Sequence, residues 1–103
     1  MNLKGTLPLL ILKTLEREPA HGYKISKHIR EHSKGVLDFK EGTLYPALHQ
    51  LEHQGLITSA EEIQNGRTRR RYRLTKNGKK ALLDELEEWH AVSKAVTTLL
   101  EGA

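Results

Sequence analysis

Apolar residues set the first element: Leu7, Leu10, Ile11 and Leu15 recur at helical spacing, with Leu9 and Leu12 widening the stripe over most of the circumference. Thr6 is the expected N-cap and Pro8 falls in the first turn, where its missing N–H costs nothing. Glu18-Pro19 closes the helix, because the residue before a proline is pushed out of the α region. A helix this apolar must be covered on more than one side. A second, shorter helix is predicted from Gly22 to about His32, with Ile25 and Ile29 inside and Lys24, Lys27, His28 and Arg30 in solvent. Ser33-Lys34-Gly35 breaks it, and Val36 to Lys40 reads as an extended connection, open to pairing as a short strand, with Phe39 turned into the core.

Leu44, Leu48 and Leu51 form the stripe of a third helix that starts between Glu41 and Thr43 and ends at Gln54. Gly55 then suits the left-handed residue beyond the helix, with Leu56 folding back on the stripe. Capping by Thr43 would put Pro46 at the third helical position, where no hydrogen bond is lost; an earlier start makes Pro46 a local irregularity. Ile57 to Ile63 and Arg69 to Leu74 alternate with period two around Asn65-Gly66, which predicts a β-hairpin. With Tyr72 and Leu74 inward, Arg69, Arg71 and Arg73 share the other face and Arg67 stands at the tip. Thr75 caps a last helix from about Lys76 to Leu100, roughly 37 Å long at 1.5 Å per residue. Leu82, Leu86, Trp89, Val92, Val96, Leu99 and Leu100 keep an apolar seam along it, beyond the reach of so small a body. The seam requires a second copy, and Leu7 and Ile11 of the first helix are expected to meet the partner's last helix. The boundary falls near Leu82, with residues 1–81 as the body and 82–103 as a dimerisation helix.

Charge sharpens this picture through its placement. Residues 1–40 and 41–80 each hold eight Lys/Arg against four Asp/Glu, whereas residues 81–103 hold one against five. A basic body suits a polyanion, and an acidic tail suits a helix held away from it. The sequence contains no cysteine, which excludes disulfides, thiolate metal sites and cysteine nucleophiles. Neither a membrane-length apolar run nor a secretory signal is visible, so the expected location is the cytoplasm.

The fold class is therefore mainly α with a small β-hairpin wing, a winged helix-turn-helix followed by a long C-terminal dimerisation helix. In this arrangement the third helix enters the major groove of double-stranded DNA and the hairpin lies along the backbone. Thr43, Pro46, His49, Gln50 and His53 lie opposite the leucine stripe and are the candidate base readers; Gln50 suits an adenine edge. Tyr45 lies beside the stripe, which suits core packing. Lys24 and Lys27 suit phosphate, whereas Arg67, Arg69, Arg71 and Arg73 suit phosphate and also the adjacent minor groove, a narrow, strongly negative channel that favours guanidinium groups.

These residues resemble one family, the PadR-type transcriptional regulators, and its short single-domain members in particular. The resemblance runs through Leu3-Lys4-Gly5-Thr6-Leu7, His21-Gly22-Tyr23 and Gly42-Thr43-Leu44-Tyr45-Pro46-Ala47-Leu48. It continues through Leu51-Glu52, Gly55-Leu56-Ile57, Arg70-Arg71-Tyr72-Arg73-Leu74-Thr75, Gly78 and Trp89. It implies a homodimeric repressor of nearby genes, released from its operator by a small organic molecule. The resemblance also opens a phosphate contact to Tyr45. Trp89 has two readings, an anchor in the dimer interface and the wall of a pocket for a flat aromatic effector, and both can hold together.

Three other readings compete with this one. His28 with His32, and His49 with His53, have the i, i+4 spacing of metal ligands, but each pair lacks a third ligand, so no metal and no cofactor is expected. An enzyme would need a phosphate loop, a nucleophile elbow or paired carboxylates in a cleft, and none is found. A winged helix serving protein contacts alone would lack the steep salt dependence of a duplex binder.

Overall fold

Proline and glycine set the joints of the chain, which the computed structural model describes for residues 5–102. Leu3 and Lys4 of the opening motif lie outside these residues. The elements run α1 (Leu7–Arg17), β1 (Ala20–His21), α2 (Gly22–His32), α3 (Glu41–His53), β2 (Ile57–Gln64), β3 (Arg67–Leu74) and α4 (Lys76–Leu100). Helix α1 stops at Glu18, whose backbone is extended ahead of Pro19. The chain then stays extended for two residues, and Ala20 and His21 pair with Tyr72 and Arg71 of β3. The result is a three-stranded antiparallel sheet in the order β1-β3-β2.

The third strand is thus Ala20–His21 and not the Val36–Lys40 connection. That connection is held by a side chain instead: Leu37 N–H donates to Ser33 Oγ at 2.9 Å, and Val36 is 77% exposed. Phe39 is buried, as its apolar character required.

Helix α3 takes the early start, at Glu41, and carries Pro46 inside it. Its far end is a helix-terminating glycine motif. Leu56 N–H reaches Leu51 O at 3.0 Å, Gly55 N–H reaches Glu52 O at 3.0 Å, and Gly55 adopts φ +76°. The wing turns through Asn65 (φ +51°) and Gly66 (φ +76°), the pair of positive angles that matches the twist of a two-residue hairpin.

The core is one cluster in which Leu7, Ile11, Leu12, Ile25, Leu44, Leu48, Ile57, Tyr72 and Leu82 are almost wholly enclosed. Helix α1 lies at its centre, touching α2, α3, β3 and α4, which explains why it is apolar nearly all round. This corrects one expectation. Leu7, Ile11 and Leu82 are 2%, 0% and 0% exposed within a single subunit, so they have no surface left for a partner. The first turns of this chain's own α4 cover α1.

Helix α4 begins where α3 has ended. Thr75 Oγ1 accepts from Gly78 N–H at 3.0 Å, closing the cap, and donates to Gly55 O at 2.7 Å. Gly78 is packed against backbone: a Cβ there would stand 2.0 Å from Leu56 O. Only glycine lets the helix approach so closely. Beyond Leu86 the helix leaves the core, and the radius of gyration is 15.0 Å, above the ~13 Å of a compact chain of this length. Among the described residues no helix is long and apolar enough to cross a membrane.

Candidate nucleic-acid interface

The helical period places Pro46, His49, Gln50 and His53 along one side of α3, and all four are exposed. Thr43 is half-buried at the start of this side. No long side chain stands at Pro46, so a flat surface can approach the helix closely there. Tyr45 is half-buried against the core, and its phenol lies over the first residue of α2: a Cβ on Gly22 would stand 2.7 Å from the Tyr45 oxygen.

Strand register sorts the wing arginines. Arg67, Arg69, Arg71 and Arg73 oppose Gln64, Glu62, Ala60 and Thr58, and alternation puts these eight side chains on one face. Arg70 falls on the other face with Tyr72. The four expected arginines do share a face, yet they differ in what holds them. Arg71 Nε is 2.9 Å from Glu62 Oε2, whose other oxygen meets His21 Nε2 at 2.9 Å. The Arg69 guanidinium stands 4.8 Å above the Tyr23 ring, and the His21 ring lies parallel to that of Tyr23 with centroids 5.9 Å apart. Among the described residues Arg67 and Arg73 form no ion pair.

Two polar relays therefore clamp the ribbon from opposite faces. On one, His21, Glu62 and Arg71 join the start of α2 to both wing strands. On the other, Ser59 Oγ donates to Glu52 Oε2 of α3 at 2.5 Å, and Arg70 bridges Ser59 and Glu61 at 3.0 Å each. The hydrogen bond from His21 and then that from Arg71 hold the Glu62 carboxyl below the usual carboxylate range, so it stays ionised. Burial, helped by the nearby Glu52 charge, raises the Tyr72 phenol, which stays protonated.

Between α2, α3 and β3 lies an open cleft of about 300 Å³, lined by His21, Gly22, Tyr23 and Tyr45 on one side and Arg67 to Arg70 on the other. Tyr45 is the α3 residue in this lining, so the cleft sets α3 beside the arginine ribbon. Lys24 and Lys27 lie elsewhere, along a second groove of about 320 Å³ that they form with Arg17, His28 and His32. There the His28 and His32 rings stack at 4.0 Å, and His32 Nδ1 meets His28 O at 3.0 Å. Burial, then His32 and Arg17, lower the pKa of His28, which favours its neutral form. Among the described residues no group of three or more His, Asp or Glu converges as metal ligands would.

Sequence reasoning missed His21, Tyr23, Glu62 and Arg70. Arg70 was within reach, since period two puts it beside Tyr72 and a pair with Glu61 follows from the hairpin register. The His21–Glu62 contact spans 41 residues and left no local signal.

The model of the transcriptional regulator PadR-like family matches residues 11–89, which run from within α1 to the middle of α4. The chain belongs to the PadR-like family of transcriptional regulators. Solved structures are similar as well: a transcriptional regulator from Clostridium thermocellum matches at 33% identity and TM-score 0.87, over 93% of this chain and 94% of that one. The transcriptional regulator Rv3488 of Mycobacterium tuberculosis is 32% identical over 90% of this chain and 84% of its own length. Bacillus subtilis PadR, solved in complex with operator DNA, is 32% identical at TM-score 0.73, and the similarity spans 79% of this chain and 46% of that one. As a PadR-like regulator the chain is not an enzyme.

Proposed function

We propose that the protein is a homodimeric repressor that binds a two-fold symmetric operator. The observation that carries the reading is the cleft between Tyr45 of α3 and Arg67 to Arg70 of the wing, which sets α3 beside the arginine ribbon. Helix α3 lies in the major groove, where Gln50 pairs its amide with an adenine edge and His49 reads beside it. Arg67, Arg69 and Arg73 contact the backbone, while Arg71 is committed to holding the wing in place. The operator complex of Bacillus subtilis PadR supports this mode of binding.

The dimer rests on α4. Trp89, Val92, Val96 and Leu99 follow the alternating three and four spacing of a coiled-coil seam, and they are 39, 49, 46 and 71% exposed in one subunit. A second α4 covers them and sets two α3 helices about one turn of duplex apart, ~34 Å. Leu86 packs on its own core and Leu100 flanks the seam. Trp89 and its mate then face each other at the centre, where a planar aromatic molecule can insert and alter the spacing. Trp89 is 39% exposed in the single subunit, so a pocket built on it would take its second wall from the partner's α4.

Duplexes selected from a random pool test the reading. Binding to a palindromic consensus, falling about 10³-fold or more between 50 and 200 mM salt, is expected. A monomer indifferent to every duplex in dilute buffer would refute it. Because Trp89 is the only tryptophan, its fluorescence reports the effector site directly.

A further inference from the structure

The end of α1 and one face of α2 form a groove of about 320 Å³ that shares no residue with the cleft beside the wing. Its floor is two small buried residues, Thr14 and Ala20, and the Thr14 hydroxyl is already bonded to Leu10 O at 2.8 Å. Around the floor stand Arg17, Lys24, Lys27, His28 and His32, against two carboxylates, Glu18 and Glu31. Of the fixed cations only Lys27 is near an acid, Glu31 Oε1 at 3.9 Å, and both side chains are more than half exposed, so the contact neutralises little. Among the described residues Arg17 and Lys24 form no ion pair. Lys24, Lys27 and His28 lie three and four residues apart on the helix, and like charges at that spacing destabilise it. Folding alone gives no reason for the crowding.

The histidines narrow the choice of ligand. His32 Nδ1 meets the His28 carbonyl at 3.0 Å, and a carbonyl can only accept, so Nδ1 carries the hydrogen and the neutral ring keeps Nε2 as a bare acceptor. Such a ring repels an anion until Nε2 takes a proton. The half-buried His28 ring stacks on it at 4.0 Å, and burial, then His32 and Arg17, hold the His28 pKa low against the pull of Glu31. Two rings this close both become cations only with an anion beside them. We propose that the groove is a binding site for a small polyanion of the phosphate-ester or diphosphate class, held by Arg17, Lys24 and Lys27 and completed when His28 and His32 are protonated. Lysine and imidazole donors reach a tetrahedral oxyanion from separate directions, whereas a planar carboxylate is matched best by guanidinium forks, of which the groove has one. The space corresponds to about ten water volumes, room for a diphosphate group.

The site does not depend on the duplex reading, and one set of titrations keeps the two apart. Inorganic pyrophosphate is titrated into the full chain by calorimetry at pH 6 and at pH 8, at one ionic strength. Saturation at one site per subunit is expected, with affinity weaker at pH 8 by about tenfold or more, because binding takes up protons. Pyrophosphate itself gains negative charge over this range, so the weakening can come only from the protein. His28→Gln, checked for unchanged melting, should lose about tenfold in affinity at pH 6 and most of the pH dependence. Arg17→Gln should lose about tenfold at both pH values alike. Both variants should bind the selected palindrome as the wild type does. Uptake without saturation, or equal affinity at the two pH values, overturns the site. A matching loss of pyrophosphate and duplex affinity in either variant also overturns it, by assigning the groove to backbone phosphate. Pyrophosphate binding by a chain that ignores every duplex upholds this site and overturns only the operator reading.

Discussion

Thr75 donates its hydroxyl hydrogen to the Gly55 carbonyl at 2.7 Å, tying the residue that ends α3 to the residue that starts α4. The same oxygen accepts from Gly78, so one side chain joins the proposed reading helix to the proposed dimerisation helix. Thr75→Ala removes a cap and a second hydrogen bond together, and a loss of about 1–3 kcal/mol is expected in urea unfolding. Thr75→Ser, which keeps both bonds, should lose less than half as much.

Gly78→Ala is expected to be worse than the loss of the cap. Its methyl group would meet the Leu56 carbonyl, which belongs to the turn that ends α3 and cannot rotate away. Overpacking typically costs 1–3 kcal/mol, and the upper end of that range, about 3 kcal/mol, is expected here. Thermal melting beside Gly42→Ala, whose Cβ meets nothing within 4 Å, checks the assignment.

Arginines on one face of the wing should separate into two kinds. Arg67→Ala and Arg69→Ala should weaken binding to specific and random duplexes alike and lower the salt slope by about 1 each. Arg71→Ala should instead act through the clamp, lowering the melting temperature and disturbing sequence preference. Equal salt slopes for all three variants would show that the ion pair with Glu62 does not set Arg71 apart.

Seam residues are best tested where they serve no core of their own. Val92→Glu with Val96→Glu should give a folded monomer in sedimentation, because the pair would carry unpaired charge into a dry interface. Leu86 is unsuitable, since it packs against its own subunit.

Acid should loosen the wing before it unfolds the chain. The pKa of Glu62 is lowered in the fold, so its contribution is present above the ordinary glutamate value of 4.5 and is lost as pH falls below it. The gap in melting temperature between wild type and Glu62→Gln should therefore be open at pH 7 and close as pH drops below that value. A gap that widened in acid would reverse the sign.

Much of the architecture was legible because local rules decide it. The Leu44, Leu48, Leu51 stripe, the Gly55 stop, the Asn65-Gly66 turn and the Thr75 cap are each set by a few neighbouring residues, and each is present. Strand β1 was illegible because two residues carry no periodicity; it exists through pairing with Tyr72 and Arg71, far along the chain. The partner of α1 was misassigned for a related reason. An apolar pattern shows that Leu7 and Ile11 must be covered, but not whether the cover is this subunit's α4 or another's. Likewise, alternation identified the arginine face and said nothing of Glu62, which takes Arg71 out of the free set.

A 25-residue rod held only at its root is a lever. With the first two turns of α4 fixed by Thr75, Gly78 and Leu82, a tilt of about 5° there moves Leu100 by roughly 2 Å over the ~27 Å of helix that remain. In the proposed dimer, stiffness at that hinge would set how far the separation of the two reading heads can stray.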